Sequence, residues 1–202
     1  MSDADHYRTL AESVEFRHKI ERSEFLGIAF HVETEEAFFE ELTRVQKKYF
    51  DATHHCWAFR LFNDARSRSS DAGEPSGTAG KPILAAIEGA SFHDLGVIVV
   101  RWYGGIKLGT GGLSRAYRDT AAEALKLVTP LDRYIYERVR VIVRFDALNT
   151  VYRLVSPPDV LLTEQNYGEE NEFVFDVRAS MVAAFTQRLT ELRLRVRGAA
   201  SS

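Results

Sequence analysis

The chain has 202 residues, 45% hydrophobic and 27% charged, with a formal net charge of −3. That length suits one large domain or two small ones, with enough apolar material for a core that needs no metal or disulfide staple. The charge excludes a polycation, so contact with nucleic acid must rest on local charge, and the lone Cys56 excludes an internal disulfide and fits a reducing, cytoplasmic setting.

The first residues, Met1 to His6, are acidic and polar with no apolar stretch behind them, unlike a signal peptide. The apolar run from Gly96 to Val100 is too short to span a bilayer, so no membrane partner is expected. Phe25 to Val32 reads as a strand with a glycine inside it. Thr34 is placed to cap a helix that opens on Glu35 and Glu36, and Phe38, Leu42, Val45 and Phe50 form its apolar stripe. His54 to Leu61 reads as a second strand.

Asn63 to Gly80 is almost free of apolar residues and reads as a long loop. A short helix over Lys81 to Ala90 follows, opened by Pro82. Leu95 to Trp102 is expected to be a buried strand, Gly104 to Gly112 a glycine-rich turn, and Leu113 to Val128 a helix stopped by Thr129-Pro130. The domain boundary falls near Asp132. Beyond it the pattern gives a strand (Val139 to Phe145), a helix (Ala147 to Ser156), two strands (Val160 to Tyr167, Asn171 to Val177), a helix (Ser180 to Thr190) and a last strand (Leu192 to Arg197). That order is the ferredoxin-like βαββαβ unit. Gly198 to Ser202 are expected to fray.

Three stretches carry chemistry. The strand ending Arg101-Trp102-Tyr103 runs into Gly104, Gly105, Gly109, Gly111 and Gly112 and then a helix, which aims backbone N–H groups and a helix dipole at one point, a place for an anion. No Asp or Glu occurs from Leu95 to Arg118, while Arg101, Lys107, Arg115 and Arg118 do. Cations beside Trp102 and Tyr103 are the ingredients of a nucleic-acid surface. Equally, the glycines serve tight turns and close packing, the rings serve the core, and Arg101, at the end of a buried strand, could pair inside with Asp71 or Glu74. Neither the P-loop nor the dinucleotide fingerprint fits.

The second stretch, Ser70 to Pro82, places Asp71 and Glu74 in a polar loop. They could hold a cation or act as acid and base, but local turn bonds are the simpler role. In the third, His54 and His55 point to opposite faces of a strand and cannot chelate one metal together. Cys56 shares the face of His54, which would allow a cysteine–histidine nucleophile, but a lone buried cysteine is more often a small core residue.

Val99-Val100-Arg101-Trp102-Tyr103-Gly104-Gly105 with Leu108-Gly109-Thr110-Gly111-Gly112-Leu113, His54-His55-Cys56, and Gly73-Glu74-Pro75-Ser76-Gly77-Thr78-Ala79-Gly80-Lys81-Pro82 together resemble the signature of the YigZ/IMPACT family. The resemblance implies an α+β chain of two domains, 1–132 and 133–202. The first would resemble a fold shared by a ribosomal protein domain and domain four of elongation factor G. The second, ferredoxin-like, would resemble domain five of that factor. Eukaryotic relatives regulate translation initiation by competing for an activator of a stress kinase. Two departures matter: Ala72 stands where relatives often carry an acid, which weakens a metal reading, and Glu24 stands where they often carry a cation.

The expected protein is thus a non-catalytic, translation-linked binding module whose partner is RNA or the ribosome, with a protein partner as a further possibility. Its nucleic-acid or anion contacts would be Arg101, Tyr103, Gly104, Gly105, Lys107, Gly109, Thr110, Gly111, Gly112, Arg115 and Arg118. His54, His55, Asp71, Glu74, Thr78 and Lys81 would line the motif loop. No catalytic residue, cofactor or metal is expected. The alternatives are an enzyme acting on a phosphorylated small molecule through loop 70–81 with His54 and His55, and a protein-interaction regulator.

Overall fold

The computed structural model describes residues 5–62 and 65–199. In chain order the elements are β1 (His6–Leu10), β2 (Val14–Ile20), β3 (Ser23–His31), α1 (Glu35–Lys48), β4 (His54–Arg60), β5 (Ser67–Ser70), α2 (Gly80–Ala90), β6 (Leu95–Trp102) and α3 (Gly109–Lys126). Then come β7 (Pro130–Tyr134), β8 (Tyr136–Val143), α4 (Leu148–Tyr152), β9 (Val160–Asn166), β10 (Asn171–Arg178), α5 (Val182–Glu191) and β11 (Arg195–Ala199). The chain is a mixed α and β protein that divides into two units. One spans Tyr7–Asp132; the other gathers the described residues before Tyr7 and after Asp132.

In the first unit β6 is the middle strand of a five-stranded sheet of order β2-β3-β6-β4-β5. It pairs antiparallel with β3 and β4, and both of its faces are covered. That double burial is why its apolar run is unbroken instead of alternating. Val97 and Val99 meet Ile83 and Ile87 of α2 and Tyr117 and Ala121 of α3 in one core. Ile98 and Val100 meet Phe38, Leu42 and Val45 of α1 in the other. Thr34 caps α1 as its sequence suggests, its Oγ1 accepting from Ala37 N at 3.1 Å.

The second unit is a four-stranded antiparallel sheet of order β11-β8-β10-β9. Val139, Val141, Phe173 and Phe175 form its core with Val151 of α4 and Phe185 and Leu189 of α5.

Several expectations need correction. Loop 63–80 contains a strand, β5, paired to β4 from Trp57↔Ser70 to Arg60↔Ser67. It is a polar edge strand, and nothing in its own pattern marks it; residues 63 and 64 lie outside the described residues. The glycine-rich turn stops at Leu108, because Gly109 to Gly112 already wind the first turn of α3. Phe50 is not part of the α1 stripe: the helix ends at Lys48 and Phe50 is 84% exposed. β1, β2 and β7 were not expected at all. Gly198 and Ala199 end β11, and the rest of the expected frayed tail lies outside the described residues.

The domain division also changes at the N-terminus, where Asp5 and His6 group with the second unit. The cause is a buried charge. Asp5 is 2% exposed; its Oδ1 accepts from Arg178 Nη2 at 2.8 Å and its Oδ2 from Ser180 N at 2.8 Å. The Arg178 hydrogen bond outweighs burial and holds the Asp5 carboxyl well below the usual carboxylate range. A depressed folded pKa adds stability that is present above the unfolded value and lost as pH falls below about 4. Asp5→Ala should cost about 3 kcal/mol, read in the full chain by amide exchange within β8 and β10. The deficit should shrink below pH ~4, where the parent protein begins to lose the same carboxylate.

Candidate functional site

Thr53, before the head of β4, ties two loops together: its N–H donates to Arg101 O (2.8 Å) and its Oγ1 accepts from Tyr103 N (3.0 Å). Pairing of β4 with β6 sets His54 opposite Arg101. Side chains alternate along β6, so Arg101 follows Val97 and Val99 onto the α2/α3 face. It does not reach the surface, being 4% exposed. Its Nη1 donates to Glu74 Oε1 at 2.6 Å and its Nη2 to Ser23 Oγ at 3.2 Å. The guanidinium lies 5.4 Å from the ring centres of both Phe25 and Tyr103.

Glu74 is equally enclosed, its side chain 4% exposed. Its Oε1 also accepts from Tyr117 OH at 2.7 Å and lies 3.8 Å from His54 Nε2. Asp71 holds the loop that delivers Glu74. Its Oδ1 accepts from Ala79 N (2.9 Å) and Gly80 N (2.8 Å), and its Oδ2 from Gly77 N (2.7 Å). α2 has no capping side chain at Ala79, and Asp71 serves from outside the helix. Burial alone would raise the Asp71 pKa, but these three donors outweigh it and lower it. Thr78 closes the same loop, donating to Pro75 O at 2.6 Å. Lys81 is exposed on the first turn of α2.

His54 and His55 part as expected. His54 Nδ1 lies 3.0 Å from Ala72 O, and His55 turns to the α1 face, its Nε2 3.1 Å from Tyr49 O. Burial lowers the His55 pKa, so it is neutral at neutral pH. Cys56 Sγ donates to Asp71 O at 2.9 Å, and burial pushes its thiol up to about 12. Burial also raises the Tyr117 hydroxyl well above its ordinary value. Both keep their protons at neutral pH, so the cysteine–histidine nucleophile has no thiolate to work with. Asp71 is spent on backbone N–H groups, and the Arg101 pair engages Glu74. Among the described residues no His, Cys, Asp and Glu set converges as a metal site.

The glycines have distinct reasons. A Cβ on Gly104 would overlap the Arg22 carbonyl, and Gly105 and Gly109 have φ of 87° and 68°. Beside them opens a cleft of about 430 Å³ lined by His54, Glu74, Arg101, Tyr103, Lys107 and the head of α3 at Gly109 and Thr110. Tyr103 is 44% exposed on its rim. Lys107 and Arg115 are exposed and, among the described residues, make no ion pair. Arg118 leaves this group: it meets Asp119 at 3.4 Å and borders a separate hollow with Ala86 and Lys126. Ser23, Thr53 and Tyr117 were missed from sequence. The available signal was Tyr117 itself, a tyrosine on the buried stripe of α3 whose hydroxyl needs a partner.

A sheet with helices on both faces, a buried arginine–glutamate pair and a glycine turn at the head of a long helix mark the first unit, and a second α+β unit accompanies it. Residues 21–125 match the Impact N-terminal domain, and the chain belongs to the IMPACT family. It is 34% identical over 187 residues to the IMPACT family member YvyE of Bacillus subtilis, covering 92% of this chain and 86% of that one. It is 32% identical over 181 residues to YigZ of Escherichia coli, covering 86% of each. A crystal structure of a hypothetical protein, 28% identical, superposes with a TM-score of 0.69 over 98% of this chain and 99% of that chain. Among the described residues no helix is long and apolar enough to cross a membrane.

Asp71→Ala should cost about 2 kcal/mol by orphaning three N–H donors, measured by urea unfolding, and Asp71→Asn should cost less. Cys56, fully buried with its thiol held up to about 12, should resist iodoacetamide in the native protein and react fully in denaturant, as read by mass spectrometry.

Proposed function

We propose that this protein is a non-catalytic, translation-linked binding module that engages RNA or the ribosome through the end of its first unit bearing Tyr103, Lys107 and Arg115. The observation that carries this reading is a pair of exposed cations with no ion pair among the described residues, in a stretch free of acids that also carries the exposed ring of Tyr103. Unpaired cations keep their charge for phosphate, and a ring offers a face for a base. Arg101 plays a different part from the one its sequence position suggests. Its charge is met by Glu74, so it shapes the site instead of contributing net potential.

Family membership supports the link to translation, the eukaryotic members being regulators of initiation. A cytoplasmic location goes with that role. The strand order β11-β8-β10-β9, with α4 and α5 between strands, supports reading the second unit as ferredoxin-like. The first unit would correspond to the elongation-factor domain-four fold. A protein partner is a second reading, favoured by exposed apolar groups of the first unit: Phe50 is 84% and Ile106 37% exposed.

The test is binding to ribosomes and short RNA across a salt series. Lys107→Glu with Arg115→Glu should weaken RNA binding at least about tenfold and flatten the salt slope by about two units, one per lost phosphate contact. Unchanged affinity and slope would remove the RNA reading. A partner that survives nuclease treatment would establish the protein reading in its place.

A further inference from the structure

The cleft at the head of α3 is large enough for one nucleotide, and its two ends offer different chemistry. At one end α3 begins with no capping side chain and no acid in its first turn. The leading N–H groups of an 18-residue helix have no intrahelical acceptor, and they carry the positive end of its dipole. Lys107 stands beside them without an ion pair among the described residues.

Arg101 lines the cleft with its side chain 5% exposed, its Nη1 and Nη2 held by Glu74 and Ser23. At the other end Glu74 uses Oε1 for each of its contacts, with Arg101, Tyr117 and His54. Its Oε2 is left to accept from a hydroxyl. Thr110, in the same first turn, is exposed and lines the cleft, so a side chain placed there meets whatever the N–H groups hold.

We propose that this cleft binds a terminal ribonucleoside phosphate. The phosphate rests on the first-turn N–H groups of α3 and on Lys107, the ribose 2′-hydroxyl donates to Glu74 Oε2, and the base lies against Tyr103. This deepens the RNA-directed reading and rests on it, naming the end of a strand instead of its backbone. A free nucleotide shares the chemistry, and the experiment separates the two sources.

The full chain is titrated, with backbone amides followed by NMR, using inorganic phosphate, a ribonucleoside monophosphate and its 2′-deoxy counterpart. Short RNAs with and without a terminal phosphate follow. Phosphate alone should shift the amides of Gly109 to Gly112, and the ribonucleotide should bind about tenfold more tightly than the deoxy form. Thr110→Asp puts a carboxylate at the first-turn N–H groups where the phosphate rests while favouring the helix dipole. Its melting temperature should hold or rise while phosphate affinity falls at least about tenfold.

Phosphorylated RNA binding more tightly than the free nucleotide assigns the site to RNA ends; the reverse assigns it to free nucleotides. Unshifted amides, or Thr110→Asp binding as the parent does, would overturn the proposal. If RNA binding then still responds to Lys107 and Arg115, only the cleft assignment is lost. If mononucleotide shifts persist while RNA and ribosome binding is absent, the cleft stands and the RNA reading is the one that fails.

Discussion

The contact between Arg101 and Glu74 organises this end of the first unit. Arg101 comes from the central strand, whose position is fixed by apolar burial on both faces. Glu74 comes from a segment with almost no apolar residues, which cannot hold itself by a core. Two buried charges cost several kcal/mol each to desolvate, and the pair persists only where other bonds complete it. Tyr117 and Ser23 supply those bonds, one from α3 and one from β3. A single ion pair thus joins the polar loop, the central strand, a helix and the β2–β3 turn. Asp71 complements it by tying the far end of the loop to the head of α2.

This arrangement decides which charges face the solvent. Arg101 and Glu74 cancel inside the protein, and Arg118 is drawn toward Asp119. Lys107 and Arg115 are what remains of the cationic stretch. In the core Cys56 and Tyr117 keep their protons because burial disfavours their anions. The cleft itself is lined by the compensated pair with His54, Tyr103 and Lys107.

Much of the fold was legible because burial leaves a pattern. The unbroken apolar run of β6, the spacing of Phe38, Leu42 and Val45 in α1, and the strand and helix order of the second unit follow from period and capping alone. β2 was missed although Val14, Phe16, His18 and Ile20 alternate cleanly with Glu15, Arg17 and Lys19. The polar members of that strand outweighed its period. β5 leaves no pattern, because a serine-rich edge strand takes its shape from the strand it pairs with. The site was legible in position but not in role. A sequence displays Arg101 as a cation and offers Asp71 or Glu74 as an inner partner; the structure selects Glu74, 27 residues upstream, and encloses the pair.

The glycines illustrate the same limit and show how the structure resolves it. In the sequence Gly104, Gly105, Gly109, Gly111 and Gly112 look alike. In the structure Gly104 is required because the Arg22 carbonyl fills the space of a side chain, and Gly105 and Gly109 because their backbones are left-handed. Gly112 packs against Leu108 Cβ, which an added Cβ would approach to 3.1 Å. Gly111 has none of these reasons. It lies in the exposed first turn of an uncapped helix, where alanine would fit and would stabilise the helix. The structure thus separates the glycines that the fold requires from one that it does not, a distinction the letters alone do not carry.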